Sequence, residues 1–251
     1  MSFFDRFKSK PKTSANAEAI DMSLIGTDMH SHLLFGIDDG AVSLENSLEL
    51  IEHLMNMGYR KFITSPHIYR DLYFNSPDTI LPKLKIVQDA IKEKGWDVEL
   101  LAAAEYYLDD HFEDLIAKDE LLTMGNKHIL FELAFDSEPP NVKRALFNLQ
   151  LNGYKPILAH PERYDYLHNQ FSKYEDFADR DVYLQLNINS LSGHYGPMVK
   201  KVSERLIDAG LIRFIGTDCH HVGHVNLTES VRRNPHLRKL IESGKLLNHT
   251  L

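Results

Sequence analysis

The chain is poor in the residues that commit a sequence to disulfide or thiolate-metal architecture. Of its 251 residues only Cys219 is a cysteine, which excludes an intramolecular disulfide and a Cys-rich zinc knuckle. No apolar run approaches the ~20 residues that cross a bilayer, and no secretory signal peptide opens the sequence. A surplus of positive charge is also lacking. The formal net charge is -8 with histidine neutral, so the overall electrostatic footprint of a nucleic-acid binder is absent. These absences predict a cytoplasmic protein. Hydrophobic residues make up 43% and charged residues 25% of the chain, ordinary values for a soluble domain with a sizeable core. The unusual figure is fourteen histidines, more than structural roles readily account for.

Residues 1–22 read as a flexible basic and polar tail, and 23–251 as one domain. The tail carries Arg6, Lys8, Lys10 and Lys12 beside Phe3, Phe4 and Phe7. It is expected to be solvated, although such a segment could make weak contact with anionic lipid and hold the protein at the inner membrane face. Beyond it, short β-like runs alternate with amphipathic helical stretches. Strands are expected at Leu24–His30, Lys61–Ser65, Val98–Ala104, His128–Leu133, Lys155–Ala159, Val182–Ile188 and Arg213–Gly216. A helix capped by Ser43 carries Leu44, Leu48, Ile51 and Met55 at helical spacing and stops at Gly58. Others run from Pro139-Pro140 to Gly153, from Pro197 to Gly210, and over Ile80–Lys94 with Pro82 in its first turn. Regular β/α alternation implies a parallel sheet with crossover helices. Seven such strands fit a distorted (β/α)7, TIM-like barrel better than two small domains, with a doubly wound open sheet as the alternative.

The informative pattern lies at the ends of the strands. The first leads into Asp28-Met29-His30-Ser31-His32, the second into Ser65-Pro66-His67, and the third ends at Glu105. The fourth carries Glu132, the fifth leads into His160-Pro161-Glu162-Arg163, and the last into Thr217-Asp218-Cys219-His220. In a β/α barrel the C-terminal strand ends converge on one face, so these distant residues would meet in one pocket. Imidazoles and carboxylates are the ligands expected for zinc, manganese or iron. Residues i and i+2 of an extended segment point to the same side. His30 with His32, and Asp218 with His220, can therefore each converge on a cation.

For each candidate there is a plainer reading. A lone His or Glu after a strand is commonly a cap or a hydrogen-bonded core group, and Glu132, between Phe131 and Leu133, could be a buried structural carboxylate. Left unpaired there it would cost several kcal/mol, which calls for a cation or strong donors. Asp38 is expected in a solvated Asp-Asp-Gly loop. His53, His111, His128, His168, His194, His221, His224, His236 and His249 lack a matching partner and are read as structural or surface residues. Tyr69, Tyr73 and Phe74 either anchor the loop after His67 or pack against a substrate ring. Cys219 has Val225 six positions on and no glycine-rich cradle, so it cannot be the nucleophile of a Cys-x5-Arg phosphatase; flanked by two candidate ligands, it should turn into packing.

At these residues the sequence resembles the PHP (polymerase and histidinol phosphatase) superfamily. Within it the sequence is most similar to the bacterial capsule- and exopolysaccharide-associated tyrosine phosphatases. The closer likeness rests on His30-Ser31-His32, Ile37-Asp38-Asp39-Gly40-Ala41, Ala104-Glu105-Tyr106-Tyr107, Ala159-His160-Pro161-Glu162-Arg163-Tyr164 and Asp218-Cys219-His220. The resemblance implies up to three divalent metal ions, by family manganese, with iron, zinc or cobalt admitted by the same ligands. It implies a first metal on His30, His32, Glu105 and Asp218, a second on Glu105, Glu132 and His160, and a third on Asp39, His67 and His220. Asp39 and Glu132 would share in catalysis, and Arg163 resembles the family's phosphate-contacting arginine. The four named carboxylates do not neutralise three divalent cations, leaving a positive pocket suited to a phosphomonoester dianion.

The implied activity is hydrolysis of phosphotyrosine by a metal-bound hydroxide, on a phosphoprotein such as a membrane-associated bacterial tyrosine kinase that controls polysaccharide synthesis or export. The rival within the superfamily is a small-molecule phosphomonoesterase such as histidinol phosphatase. Beyond it stand an amidohydrolase, for which no carboxylated lysine is in place, and an inactive docking module.

Overall fold

A computed structural model describes residues 18–251. Nine parallel strand segments and eight α-helices follow one another along the described residues. In order they are β1 (Thr27–Asp28), α1 (Leu44–Asn56), β2 (Lys61–Thr64), β3 (His67–Ile68), α2 (Pro77–Glu93), β4 (Glu99–Ala102), β5 (Glu105–Tyr107) and α3 (Asp110–Lys118). Next come β6 (His128–Glu132), α4 (Val142–Leu151), β7 (Lys155–Ala159), α5 (Phe171–Asp179), β8 (Tyr183–Asn187), α6 (Pro197–Ala209), β9 (Ile212–Gly216), α7 (Val222–Val231) and α8 (Pro235–Glu242).

The segments form two parallel ladders, β1-β2-β4 and β3-β5-β6-β7-β8-β9. The ladders are continuous in space. Between β2 and β3 lie only Ser65 and Pro66, and between β4 and β5 only Ala103 and Ala104. Ala103 N–H donates to Thr64 O (2.9 Å) and Glu105 N–H to Pro66 O (3.1 Å) across these breaks. The ring then shuts where β1 meets the chain after β9. Ser31 bridges Cys219 in parallel, Asp218 N–H donates to His30 O (2.7 Å), and His32 N–H donates to Cys219 O (2.9 Å). With β2–β3 and β4–β5 each counted as one interrupted strand, the result is the expected seven-stranded β/α barrel.

Strand alternation sorts the side chains into two compartments. Ile63, Ala103, Leu130, Ile157, Ala159 and Phe214 pack with Met29 inside the barrel. Ile129, Phe131, Leu158, Leu184, Leu186 and Ile215 pack outward against the helices. Leu251 joins the inner cluster, and Asn248 stitches the β1–β9 seam. Its Oδ1 accepts from Ile215 N–H (3.1 Å), while its Nδ2 donates to Thr27 O (2.9 Å) and Ile215 O (2.7 Å).

Several boundaries differ from expectation. The first strand is only Thr27–Asp28, because Met22–Leu24 form a 3-10 turn capped by Asp21. Ser43 caps α1 as expected, accepting from Asn46 N–H at 3.2 Å. Helix α2 starts at Pro77, where Ser76 and Thr79 make a reciprocal capping box. Pro82 therefore sits in the second turn rather than the first. Helices α3, α5, α7 and α8 have no counterpart among the expected helices, being eight to ten residues long. Of the expected tail, residues 1–17 lie outside the described residues, and so does its lipid-contact reading. Ile20 and Met22 belong with the domain instead: both are buried, and Ile20 exchanges hydrogen bonds with Arg232.

Candidate metal centre

The residues singled out from the strand ends meet at one mouth of the barrel. Alternation explains how several arrive there. Glu132 is two residues beyond Leu130, Glu105 two beyond Ala103, His67 four beyond Ile63, and Asp218 four beyond Phe214, so each continues an inward-facing row. His160 would break the rule, since Ala159 already faces inward. It lies in the left-handed region (φ 32°), as does Asp218 (φ 49°). That backbone is costly for a residue with a side chain, and such strain gathers at functional sites. Gly216 allows the seam to close, because a Cβ there would lie 2.5 Å from the His30 Cβ.

Glu105 is the hub. Its Oε2 lies 3.1 Å from His30 Nε2, 3.4 Å from His32 Nε2 and 3.3 Å from His67 Nδ1; its Oε1 lies 3.0 Å from His160 Nε2. Asp218 Oδ1 sits 3.3 Å and 3.4 Å from the same nitrogens of His30 and His32. Glu132 Oε1 is 3.3 Å from His67 Nδ1, and its Oε2 4.0 Å from His160 Nε2. At the rim, Asp39 Oδ1 faces His67 Nε2 (3.6 Å) and His220 Nε2 (3.5 Å). Four overlapping groups have ligand atoms within 4.8 Å of one another: His32-Asp39-His67-His220, His30-His32-Glu105, His30-His160-Asp218 and His67-Glu105-Glu132.

The imidazoles are oriented from behind. His30 Nδ1 donates to Gln185 Oε1 (2.9 Å), His32 Nδ1 to Asp38 Oδ2 (2.8 Å) and His220 Nδ1 to Asp218 O (2.9 Å). Each of the three therefore presents Nε2 to the cluster, the arrangement by which outer hydrogen bonds fix a metal-binding tautomer. His32 Nε2 and His67 Nδ1 are buried and have no hydrogen-bond partner. Burial alone would lower the His30 pKa, but the Glu105 and Asp218 carboxylates raise it to about 9. Burial likewise works against His32, and Asp38 with Asp218 and Glu105 carries it well above the ordinary value. For His160 burial and Arg163 prevail, and its pKa falls. Burial opposes the ionised forms of Glu105 and Asp218, yet the surrounding imidazoles hold both well below the usual carboxylate range. A buried site that draws positive charge so strongly, with lone pairs aimed inward and left unpartnered, fits divalent cations.

Arg163 borders the same cleft, which encloses about 470 Å³. Its Nη1 donates to Asp218 Oδ2 at 3.0 Å, and its guanidinium lies over the rings of Phe135 (5.0 Å) and Tyr195 (4.5 Å). Asn187 Nδ2 donates to the same Asp218 oxygen (2.8 Å). Behind it Glu162 is wholly buried; it accepts from Ser190 Oγ (2.7 Å) and Asn187 N–H (3.0 Å), and burial raises its pKa to about 7.

A family model described as capsular polysaccharide synthesis, CpsB/CapC, matches residues 26–243, which takes in every one of these side chains. The chain belongs to the CpsB/CapC family. The tyrosine-protein phosphatase YwqE of Bacillus subtilis is 31% identical over 196 residues, covering 78% of this chain and 77% of YwqE. A solved structure from work on B. subtilis YwqE and Streptococcus pneumoniae CpsB, described as unique metal-dependent tyrosine phosphatases, superposes with a TM-score of 0.77 at 28% identity. It covers 89% of this chain and 94% of its own. The histidinol phosphate phosphatase of Lactococcus lactis, solved with zinc, L-histidinol and phosphate, shares the fold alone, with a TM-score of 0.53 at 12% identity over 88% of this chain and 94% of its own.

All nine candidate ligands and Arg163 thus come together in this family member. Three readings change. Asp38 is not a solvated loop residue: its carboxylate is buried against His32, and it also accepts from His67 N–H (3.2 Å) and Gly40 N–H (3.0 Å). His221 and His224, read as structural or surface residues, border the cleft. The His224 Nδ1 lies 3.0 Å from Asp218 O. His67 touches two groups, its Nδ1 facing Glu105 and Glu132 while its Nε2 faces Asp39. Cys219 is buried in the outer core as expected. Gln185 and Asn187 escaped sequence reasoning; the available signal was two amides alternating with leucines in Tyr183-Leu184-Gln185-Leu186-Asn187.

Proposed function

We propose that the chain is a metal-dependent protein-tyrosine phosphatase of capsular polysaccharide synthesis. The observation that carries this reading is the convergence of imidazoles and carboxylates on Glu105, in a chain of this family, at the floor of a cleft closed on one side by an arginine. His30, His32, Glu105 and Asp218 would hold one cation, and Glu105, Glu132 and His160 a second. Asp39, His67 and His220 would hold a third nearer the rim, with manganese the expected metal and iron, zinc or cobalt compatible with the same donors. Divalent cations there supply Lewis acidity for the phosphoryl oxygens and lower the pKa of the attacking water.

The chain's own contribution is placement. Gln185 and Asp38 fix the imidazole tautomers, and the Glu105 carboxylate reaches several sites at once. A guanidinium has five N–H donors; Asp218 engages one nitrogen of Arg163, and the fork is in place to bind phosphoryl oxygens. Asp39, half exposed at the rim, is the carboxylate best placed to meet an entering substrate. A tyrosine-phosphorylated protein, such as the membrane-associated tyrosine kinase of the polysaccharide machinery, is the proposed partner. Among the described residues no helix is long and apolar enough to cross a membrane. A buried, unpaired Cys219 fits a reducing cytoplasm.

The test is turnover of a phosphotyrosine peptide, a phosphoserine peptide and histidinol phosphate, with elemental analysis of the same sample. Preference for the first, lost on chelation and restored by manganese, supports the proposal. Full activity after exhaustive chelation, or strong preference for histidinol phosphate, overturns it.

A further inference from the structure

Above the polar floor of the cleft lies an aromatic layer that metal binding does not explain. Tyr69 follows His67 by two residues and Tyr107 follows Glu105 by two, so each stands one step outward on a row that carries a candidate ligand. Their rings stack at 4.0 Å between centroids, 16° from parallel. On the chain just after β6, the ladder neighbour of β5, Phe135 lies flat on His160 (5.7 Å, 19°) and beneath the Arg163 guanidinium. It is nevertheless 44% exposed, and Leu72 is 68% exposed on the same cleft. The loop bearing Tyr69 and Leu72 is tied down. Tyr69 and Tyr73 exchange backbone hydrogen bonds (3.1 and 2.7 Å), and Asn75 Nδ2 donates to Ile37 O (2.8 Å) and His67 O (2.9 Å).

We propose that Phe135, together with Leu72 and the Tyr69–Tyr107 stack, forms the wall that grips the phenyl ring of phosphotyrosine and sets selectivity over phosphoserine. The inference rests on the tyrosine-phosphatase reading above. With the phosphoryl group seated over the ligand cluster beside Arg163, the group on its ester oxygen would leave the floor along the side of the cleft that Tyr69, Leu72, Tyr107 and Phe135 line. A phenyl ring fills that layer and meets ring faces and an apolar edge, contacts known to stabilise aromatic pairs. The single methylene of phosphoserine leaves the layer open to water and pulls the peptide backbone down towards the rim. A wall already ordered by its own hydrogen bonds loses little entropy when the ring enters.

The experiment compares wild type, Phe135→Ala, Phe135→Leu and the double variant Tyr69→Ala/Tyr107→Leu. Substrates are phosphotyrosine and phosphoserine peptides of one flanking sequence, with phenyl phosphate as a ring without a peptide. Phe135→Ala is expected to lower the phosphotyrosine-to-phosphoserine ratio of kcat/KM about tenfold, chiefly through KM. The leucine variant should recover part of the loss, and phenyl phosphate should follow the phosphotyrosine peptide. Equal losses on both peptides would overturn the inference, since Phe135 would then only support His160. A wild-type preference that survives in the double variant and in Phe135→Ala also overturns it while leaving the functional reading intact. Wild-type enzyme indifferent between the two peptides overturns both.

Discussion

Each imidazole of the His30-Ser31-His32 motif has one nitrogen turned to the cluster and one held by a residue outside it. The partners are Gln185 and Asp38, both fully buried in the side chain. Gln185 also accepts from His160 N–H (3.2 Å) and donates to Leu186 O (2.8 Å), so its amide cannot turn without losing other bonds. Outer partners of this kind commonly contribute 10- to 100-fold to metal affinity. Asp38→Ala and Gln185→Leu should therefore each weaken metal binding by about that factor while leaving the barrel folded. Competition against a fluorescent chelator would measure it, and wild-type affinity in both variants would remove the orienting role. The ligands themselves were legible in the sequence because histidine and carboxylate are unusual at so many strand ends. Asp38 was not, since Asp-Asp-Gly describes a surface turn equally well. The contact is local, six residues apart, but it needs the loop folded back on itself and the His67 N–H of β3 beside it.

Strands and their order were legible as elements, because apolar runs bounded by Pro and Gly keep their pattern regardless of partners. The interruptions at Ser65-Pro66 and Ala103-Ala104 were not, nor was closure of the ring. The seam joins segments some 190 positions apart through few backbone bonds, and its register depends on polar side chains. Asp28 accepts from Thr217 N–H (3.0 Å) and Thr217 Oγ1 (2.7 Å) near the mouth, and Asn248 pins the next step of the seam at Thr27 and Ile215. Asn248→Ala would leave the buried Ile215 N–H and the Thr27 and Ile215 carbonyls without that partner. An unsatisfied buried group costs about 1–3 kcal/mol, so the variant should lose roughly 2–4 kcal/mol in urea unfolding. Asn248 touches none of the candidate ligands, so metal affinity below the unfolding midpoint should fall less than in Asp38→Ala. A stability change under 1 kcal/mol would mean that water replaces the amide at no cost.

For the molecule as a whole, the same carboxylates that would hold cations make stability depend on pH in opposite ways with and without metal. In chelated protein His30 titrates at about 9, against ~6.5 in an unfolded chain. The folded state binds that proton more tightly, so the stability it contributes is complete below pH 6.5 and disappears as pH rises through 9. Glu162, raised to about 7 by burial from ~4.3 when unfolded, acts in the same sense: neutral below 4.3, it loses its contribution as pH climbs through 7. Each shift amounts to roughly 3–4 kcal/mol at most. Both contributions only fall with rising pH, so chelated protein should be more stable at pH 5 than at pH 9, by several degrees of Tm. Loaded protein should keep the His30 part and lose only that of Glu162, because a cation displaces the imidazole protons and binds more tightly as they become scarce. Titration of chelated protein with manganese at pH 7, in two buffers of different ionisation enthalpy, should show net proton release. Uptake of protons, or a chelated Tm that rises between pH 6.5 and 9, would mean that these carboxylates do not hold His30 in its charged form.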